Sequence, residues 1–151
     1  MVEAAREVGF AATGVELDGA AVAYARQHYP ENDFFHGSIE AFDGGAAAPF
    51  DAVYCSEVIE HVPDVNAFVA AIAALMRPDA VLYLTTPDIG HWRRPRDIAT
   101  WDAFCPPSHC LYFSAANLGR LLARHDLKVF RRRLALKPGL KVLARKSAVS
   151  A

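Results

Sequence analysis

Residues 50–88 read FDAVYCSEVIEHVPDVNAFVAAIAALMRPDAVLYLTTPD, and the order of signals in this stretch decides the fold class. Phe50–Cys55 is a short apolar run of strand length. Asp64 is a good N-cap for a helix beginning at Val65. Val65, Phe68, Val69, Ile72, Leu75 and Met76 recur at helical spacing, so one face of that helix must lie on something apolar. Pro78-Asp79 ends the helix, and Ala80–Thr85 (AVLYLT) is a second strand. Strand, helix and strand in succession predict parallel pairing with a crossover helix. Between the first strand and the helix, Ser56, Glu57, Glu60 and His61 crowd into six residues.

The pattern continues on both sides. Val2–Val8 reads as the last turns of a helix stopped at Gly9. Ala11–Leu17 (AATGVEL) is a strand with Glu16 near its end. Asp18 caps a helix over Gly19–His28 that Pro30 terminates, and Asp33–Gly37 (DFFHG) is another strand. On the C-terminal side, Pro87–Ser108 is long, rich in Pro, Trp and Arg, and without a clean period. Ser114 caps a helix carrying Leu118, Leu121 and Leu122. Leu127–Leu136 and Leu140–Ala144 flank Lys137-Pro138-Gly139, a hairpin signal. The expectation is one α/β domain over residues 1–151, mostly parallel, closed by an antiparallel hairpin.

Composition bounds the function. The chain is 53% hydrophobic and 22% charged with net charge −1, which gives no electrostatic case for a nucleic-acid or membrane partner. The apolar run Phe68–Met76 is too short to cross a bilayer. MVEAAREVGF has no signal-peptide pattern. Three cysteines do not make a disulfide framework, so a reduced, cytoplasmic setting is expected. Cys105, His109 and Cys110 in CPPSHC read either as a metal cluster or as a Pro-rich loop with incidental cysteines, because a second ligand pair at zinc spacing is lacking. Arg131–Arg133 reads as a solvated strand segment, with a phosphate or acidic-acceptor contact as the alternative.

In open parallel sheets, ligands bind beyond the carboxyl ends of the strands. Glu16, Ser38 and the pair Ser56 and Glu57 stand at three such ends. A carboxylate there can accept from both ribose hydroxyls of a nucleotide. The alternative for Glu16 is a solvated acid favoured by the dipole of the next helix.

Taken together, GVELD, HGSIEAF, the 50–88 stretch and HCLYFSAANLGRLLARHDLKV resemble the class I S-adenosylmethionine-dependent methyltransferases, from about residue 2 to residue 146. The likeness is to the small-molecule O-methyltransferase branch that includes the ubiquinone-biosynthesis enzymes. The resemblance implies a Rossmann-like sheet, the cofactor S-adenosyl-L-methionine and a small-molecule acceptor. It implies that Glu16 binds the ribose, Leu17 packs on the adenine, and Ser38 and Ile39 line the adenine pocket. Asp often stands where Ser38 does; a hydroxyl accepts without a full charge. Ser56 would pass near the methionine part. Glu57, Glu60 and His61 would be associated with a divalent metal such as Mg2+, or would be ordinary polar residues before a helix. His61 or His109 would act as general base. Trp92, Trp101 and Phe104 would line an acceptor pocket under a lid, or anchor a long loop.

The glycine-rich loop of that family has no counterpart before Glu16, and the first strand of its sheet is missing. Its strand would lie between those ending at Glu16 and Cys55, leaving a gap of about 10 Å. The expectations are an N-terminally truncated chain or a start placed too late, and a six-stranded sheet with direct pairing or a distorted centre. A homodimer through open sheet edges is a further expectation. Two other functions fit parts of the pattern: a nicotinamide-dependent oxidoreductase on the same architecture, and a non-catalytic remnant serving as an interaction domain.

Overall fold

The structure, a computed structural model, describes residues 1–147; residues 148–151, the end of the expected domain, lie outside the described residues. The chain divides into two compact units, Met1–Ala48 and Pro49–Ala151.

The first unit contains α1 (Val2–Glu7), β1 (Thr13–Glu16), α2 (Gly19–His28) and β2 (Asp33–His36). Gly9 ends the first helical segment with φ +90, a conformation costly for residues with a Cβ. The Asp18 side chain caps α2 by accepting from the Ala20 N–H at 2.8 Å. β1 and β2 pair in parallel, Thr13 with Asp33 through Glu16 with His36. The two strands therefore end side by side. Of the large apolar side chains here, Val22 is buried, whereas Val8, Phe10 and Leu17 are exposed.

The second unit contains β3 (Phe50–Ser56), α3 (Val65–Leu75), β4 (Met76–Pro87), α4 (Ala115–Ala123), β5 (Leu127–Arg132) and β6 (Gly139–Lys146). Its sheet has the order β3-β4-β6-β5. β3 and β4 are parallel, and β4–β6 and β6–β5 are antiparallel. α3 forms as its sequence requires. Asp64 accepts from the N–H groups of Asn66 and Ala67, both at 3.0 Å, and Phe68, Val69, Ile72, Ala73 and Leu75 are buried. α4 begins with a reciprocal capping box between Ser114 and Asn117 and buries Leu118, Leu121 and Leu122. Leu82 and Leu84 of β4 and Leu140, Val142 and Ala144 of β6 alternate into the core.

Three expectations change. Ladder pairing needs strands about 4.8 Å apart, and no such pairing joins β1 to β3 among the described residues. The six-stranded sheet is replaced by a two-stranded and a four-stranded one. β5 stops at Arg132 rather than Leu136, beyond a register shift between Val129 and Arg131. β4 starts at Met76, and an irregularity carrying Asp79 at φ +63 absorbs Pro78-Asp79 before regular pairing resumes at Val81.

Replacing the Asp64 cap with Ala is expected to lower stability by about 1 kcal/mol. Leu84→Ala, in the central strand, is expected to lower it by about 2–5 kcal/mol. Urea midpoints at unchanged slope check both, and equal effects would contradict the division between surface cap and core.

Candidate functional site

The register of β3 on β4 sets Ser56 beside Thr85 at the ends of the two strands. Their hydroxyl oxygens are 2.7 Å apart. Thr85 Oγ1 also lies 2.7 Å from Glu57 Oε1 and donates to it. The single Thr85 proton is thereby committed, so Ser56 is the donor of its pair: a relay of hydroxyls ends on a carboxylate. Glu57 takes a left-handed φ of +53, and its N–H donates to the Thr85 carbonyl at 3.0 Å. A strained residue at this point turns the chain sharply off the sheet.

The turn beyond Glu57 carries Ile59 and Glu60 inward, both 0% exposed. Glu60 Oε2 accepts from Thr86 Oγ1 at 2.9 Å. Its other oxygen, Oε1, is buried, has no hydrogen-bond partner among the described residues, and lies 3.9 Å from His61 Nε2. Burial, the dominant cause, raises the Glu60 carboxyl above its ordinary 4.5, against the lowering by its hydrogen bonds. The Glu60 carbonyl accepts from the N–H groups of Cys110 and Leu111 at 2.9 and 3.1 Å.

Two imidazoles complete the cluster. His61 Nδ1 is 2.7 Å from the Ser108 carbonyl, and His109 Nδ1 is 2.8 Å from the Ala103 carbonyl. A carbonyl only accepts, so each Nδ1 carries a proton and each neutral ring keeps its lone pair on Nε2. The rings meet edge to face with centroids 4.6 Å apart. One ligand-type atom each from Glu60, His61 and His109 lies within 4.8 Å of the others.

Around His109 sits an aromatic group. Tyr112 has its ring centroid 5.4 Å from Phe104, 6.4 Å from Trp101 and 6.3 Å from His109. Trp101 is buried, whereas Trp92 is 79% exposed and stands outside the group. Two of the three aromatics expected in one pocket therefore converge, and Tyr112 replaces the third.

The structure redistributes the expected metal residues. Glu57 is drawn to Thr85, and His109 takes its place beside Glu60 and His61. Cys105 and Cys110 join no metal-type group with His109 among the described residues; their thiols point to the carbonyls of Ala103 and Pro107. All three cysteines are free. Cys55 is buried, and that burial, with the nearby Glu60 and Glu57 carboxylates, pushes its thiol up to about 12.

In the first unit, Glu16 and Leu17 leave β1 at the same rim where Ser38 and Ile39 leave β2. Glu16 is exposed and its Oε1 accepts from the Asp18 N–H at 3.0 Å. Leu17 is 69% exposed, and its carbonyl accepts from His36 Nε2 at 3.2 Å. The Gly37 N–H donates to the Glu16 carbonyl at 2.9 Å, locking the two strand ends together. Ser38 and Ile39 are half-buried, and the Ser38 hydroxyl makes no capping bond to the 3-10 turn it precedes. The sequence placed all four at these two strand ends. It did not single out Thr85, Thr86 or Tyr112, although two threonines at the end of an apolar strand parallel to the one ending in Ser56 are a readable signal.

Comparison with known proteins agrees with this fold. A methyltransferase domain family matches residues 1–131, and the chain belongs to that family. The ubiquinone biosynthesis O-methyltransferase of Aromatoleum aromaticum is 39% identical over 88 residues, covering 56% of this chain and 38% of that protein. The enzyme of the same description from Xanthomonas axonopodis is 36% identical, covering 56% and 37%. The matched region thus spans less than two fifths of these relatives. Among solved structures, the Burkholderia thailandensis 1,6-didemethyltoxoflavin-N1-methyltransferase, with bound 1,6-didemethyltoxoflavin and S-adenosylhomocysteine, superposes with TM-score 0.68 at 21% identity, over 95% of this chain and 64% of that one. A Methanosarcina mazei S-adenosylmethionine-dependent methyltransferase gives 0.71 at 17%, over 96% and 85%. The cyclase SpnF gives 0.75 at 13%, over 97% and 70%, so the shared fold alone does not fix a reaction.

The burial of this site has two measurable consequences. With a thiol reagent at about pH 8, exposed Cys110 should react and Cys55 should not until the chain unfolds; early modification of Cys55 on mass mapping would contradict its placement. The native state retains a Glu60 proton that the unfolded chain has released above 4.5. Stability linked to this residue therefore falls as pH rises through that window. Glu60→Gln should gain on the parent as pH rises above the ordinary carboxyl range in denaturant titrations, and a constant difference would contradict the burial.

Proposed function

We propose that this chain is the catalytic part of an S-adenosyl-L-methionine-dependent O-methyltransferase acting on a small hydroxylated acceptor in the cytoplasm. The observation that carries the reading is the family match over residues 1–131, which includes the whole rim bearing Glu16. Both curated relatives above are O-methyltransferases by description, which supports oxygen as the acceptor atom.

On this reading the Glu16 carboxylate takes the ribose hydroxyls, Leu17 offers an apolar face to the adenine, and Ser38 and Ile39 border it. S-adenosyl-L-methionine supplies a methyl group on a positively charged sulfur, open to in-line attack by an oxygen. What the protein must provide is alignment and removal of the acceptor's proton. Nε2 of His61 or His109 takes that proton, since Nδ1 of each is anchored to a carbonyl. Glu60 Oε1, 3.9 Å from His61 Nε2, is the acceptor placed nearest the resulting imidazolium. The ring group of Trp101, Phe104 and Tyr112 supplies apolar surface for an acceptor ring.

Mg2+ does not fit the cluster. Two imidazole nitrogens and one carboxylate are not the oxygen-rich octahedral set that Mg2+ favours, and Glu57 is engaged elsewhere. No step is routed through a metal.

Calorimetry should show S-adenosylhomocysteine binding, weakened about tenfold or more by Glu16→Ala, with no heat from NADH. Binding of NADH alone would favour the oxidoreductase and overturn the reading. With a phenolic acceptor panel, His109→Ala should slow methyl transfer by about a hundredfold or more while S-adenosylhomocysteine affinity holds; an unchanged rate would remove His109 from the chemistry.

A further inference from the structure

The net charge of −1 conceals a lopsided distribution. Residues 127–146 read LKVFRRRLALKPGLKVLARK, with eight of the chain's 16 Lys and Arg residues and no Asp or Glu. Lys128, Arg131, Arg132, Arg133, Lys137, Lys141 and Arg145 are exposed. The same hairpin leaves apolar side chains in water. Leu134 is 85% exposed, Leu136 is 70% exposed, and Phe130 is exposed with the Arg145 guanidinium over its ring at 5.0 Å. The two leucines flank the hairpin tip, directly after the arginine triplet and directly before Lys137.

A neighbouring segment extends this surface. His91 Nε2 lies 3.0 Å from the Ala135 carbonyl and donates to it, fastening the tip to the loop after β4. Next to His91 stands exposed Trp92, with the Arg93 guanidinium 5.4 Å from its ring centroid. Trp92 and Arg132 line one shallow cleft. Acids border the hairpin at few places: Asp88 lines the cleft with Trp92 and Arg132, Asp79 shares a separate cleft with Lys128 and Arg145, and Asp126 directly precedes β5.

Solvated strand residues account for charge but not for two leucines and a tryptophan left open among them. A nucleic acid or acidic peptide would use the cations and gain little from the leucines. A bilayer uses both: Trp and Leu enter the headgroup boundary, while Lys and Arg pair with anionic lipid on flexible stems.

We propose that the β5–β6 hairpin, with Trp92 beside its tip, is a peripheral docking surface for an anionic lipid bilayer. It inserts Leu134, Leu136 and Trp92 shallowly and holds them by charge. No membrane-spanning helix is involved, and none of the described helices is long and apolar enough to be one. The inference does not depend on the methyl-transfer reading, because none of these residues is assigned to that site.

Sedimentation with vesicles of equal parts phosphatidylglycerol and phosphatidylcholine tests it, against vesicles of phosphatidylcholine alone. The chain should pellet with the former only, release as salt is raised, and show a blue-shifted Trp92 emission that Trp92→Phe removes; buried Trp101 provides the constant background. Leu134→Asp with Leu136→Asp should reduce the bound fraction about tenfold or more, and so should Arg131→Glu, Arg132→Glu and Arg133→Glu together. S-adenosylhomocysteine binding and the thermal melt should be unchanged in both variants, which separates loss of docking from loss of fold. Failure to pellet, or pelleting that survives the leucine changes with no Trp92 shift, overturns the proposal. Binding of a heparin or acidic-peptide probe in preference to vesicles, indifferent to the leucines, overturns it in favour of an acidic macromolecule.

Discussion

A wholly buried carboxylate holds the second unit's polar corner together. Glu60 receives a hydrogen bond from Thr86 at the end of β4, and its backbone carbonyl receives two from the segment entering α4. One residue thus fixes the turn after β3 against two other parts of the chain. Burying a carboxylate costs several kcal/mol unless it is hydrogen-bonded or paired. Among the described residues only one of its oxygens is hydrogen-bonded, so the corner is held partly at the expense of stability.

The surrounding structure is ordinary by comparison. β4 is flanked on both sides, its buried Leu82 and Leu84 pair with Ala144 and Val142 of β6, and α3 and α4 bury the apolar faces their periodicity announces. This core fixes where the strand ends fall. The β3–β4 register puts Ser56, Thr85 and Glu57 into one relay, and the anchored Nδ1 atoms of His61 and His109 leave the lone pair of each neutral ring on Nε2. In the first unit, parallel pairing of two four-residue strands is enough to bring the loops bearing Glu16 and Ser38 to a common rim.

Much of this was legible in the residues. Asp18, Asp64 and Ser114 all cap the helices they were expected to cap, because a short acceptor side chain before an apolar period has few other local uses. The polar run after β3 was visible as a break in the strand's apolar pattern, and the structure gathers Glu60 and His61 from it with His109. Partner choice was not legible. Nothing local shows that Glu57 would turn to Thr85, a residue 28 positions away, or that His109 would face His61. Sheet continuity was not legible either, since strand pairing depends on which backbones meet and not on the strands' own sequences. A whole-chain charge likewise says nothing of how eight cations gather on one hairpin.

Methyl transfer by this chain requires a nucleoside held where β1 and β2 end. Amide chemical-shift mapping with S-adenosylhomocysteine tests this residue by residue. The largest shifts are predicted at Glu16–Asp18 and Ser38–Ile39. Saturable binding that leaves both strand ends unmoved and perturbs other residues instead would contradict it.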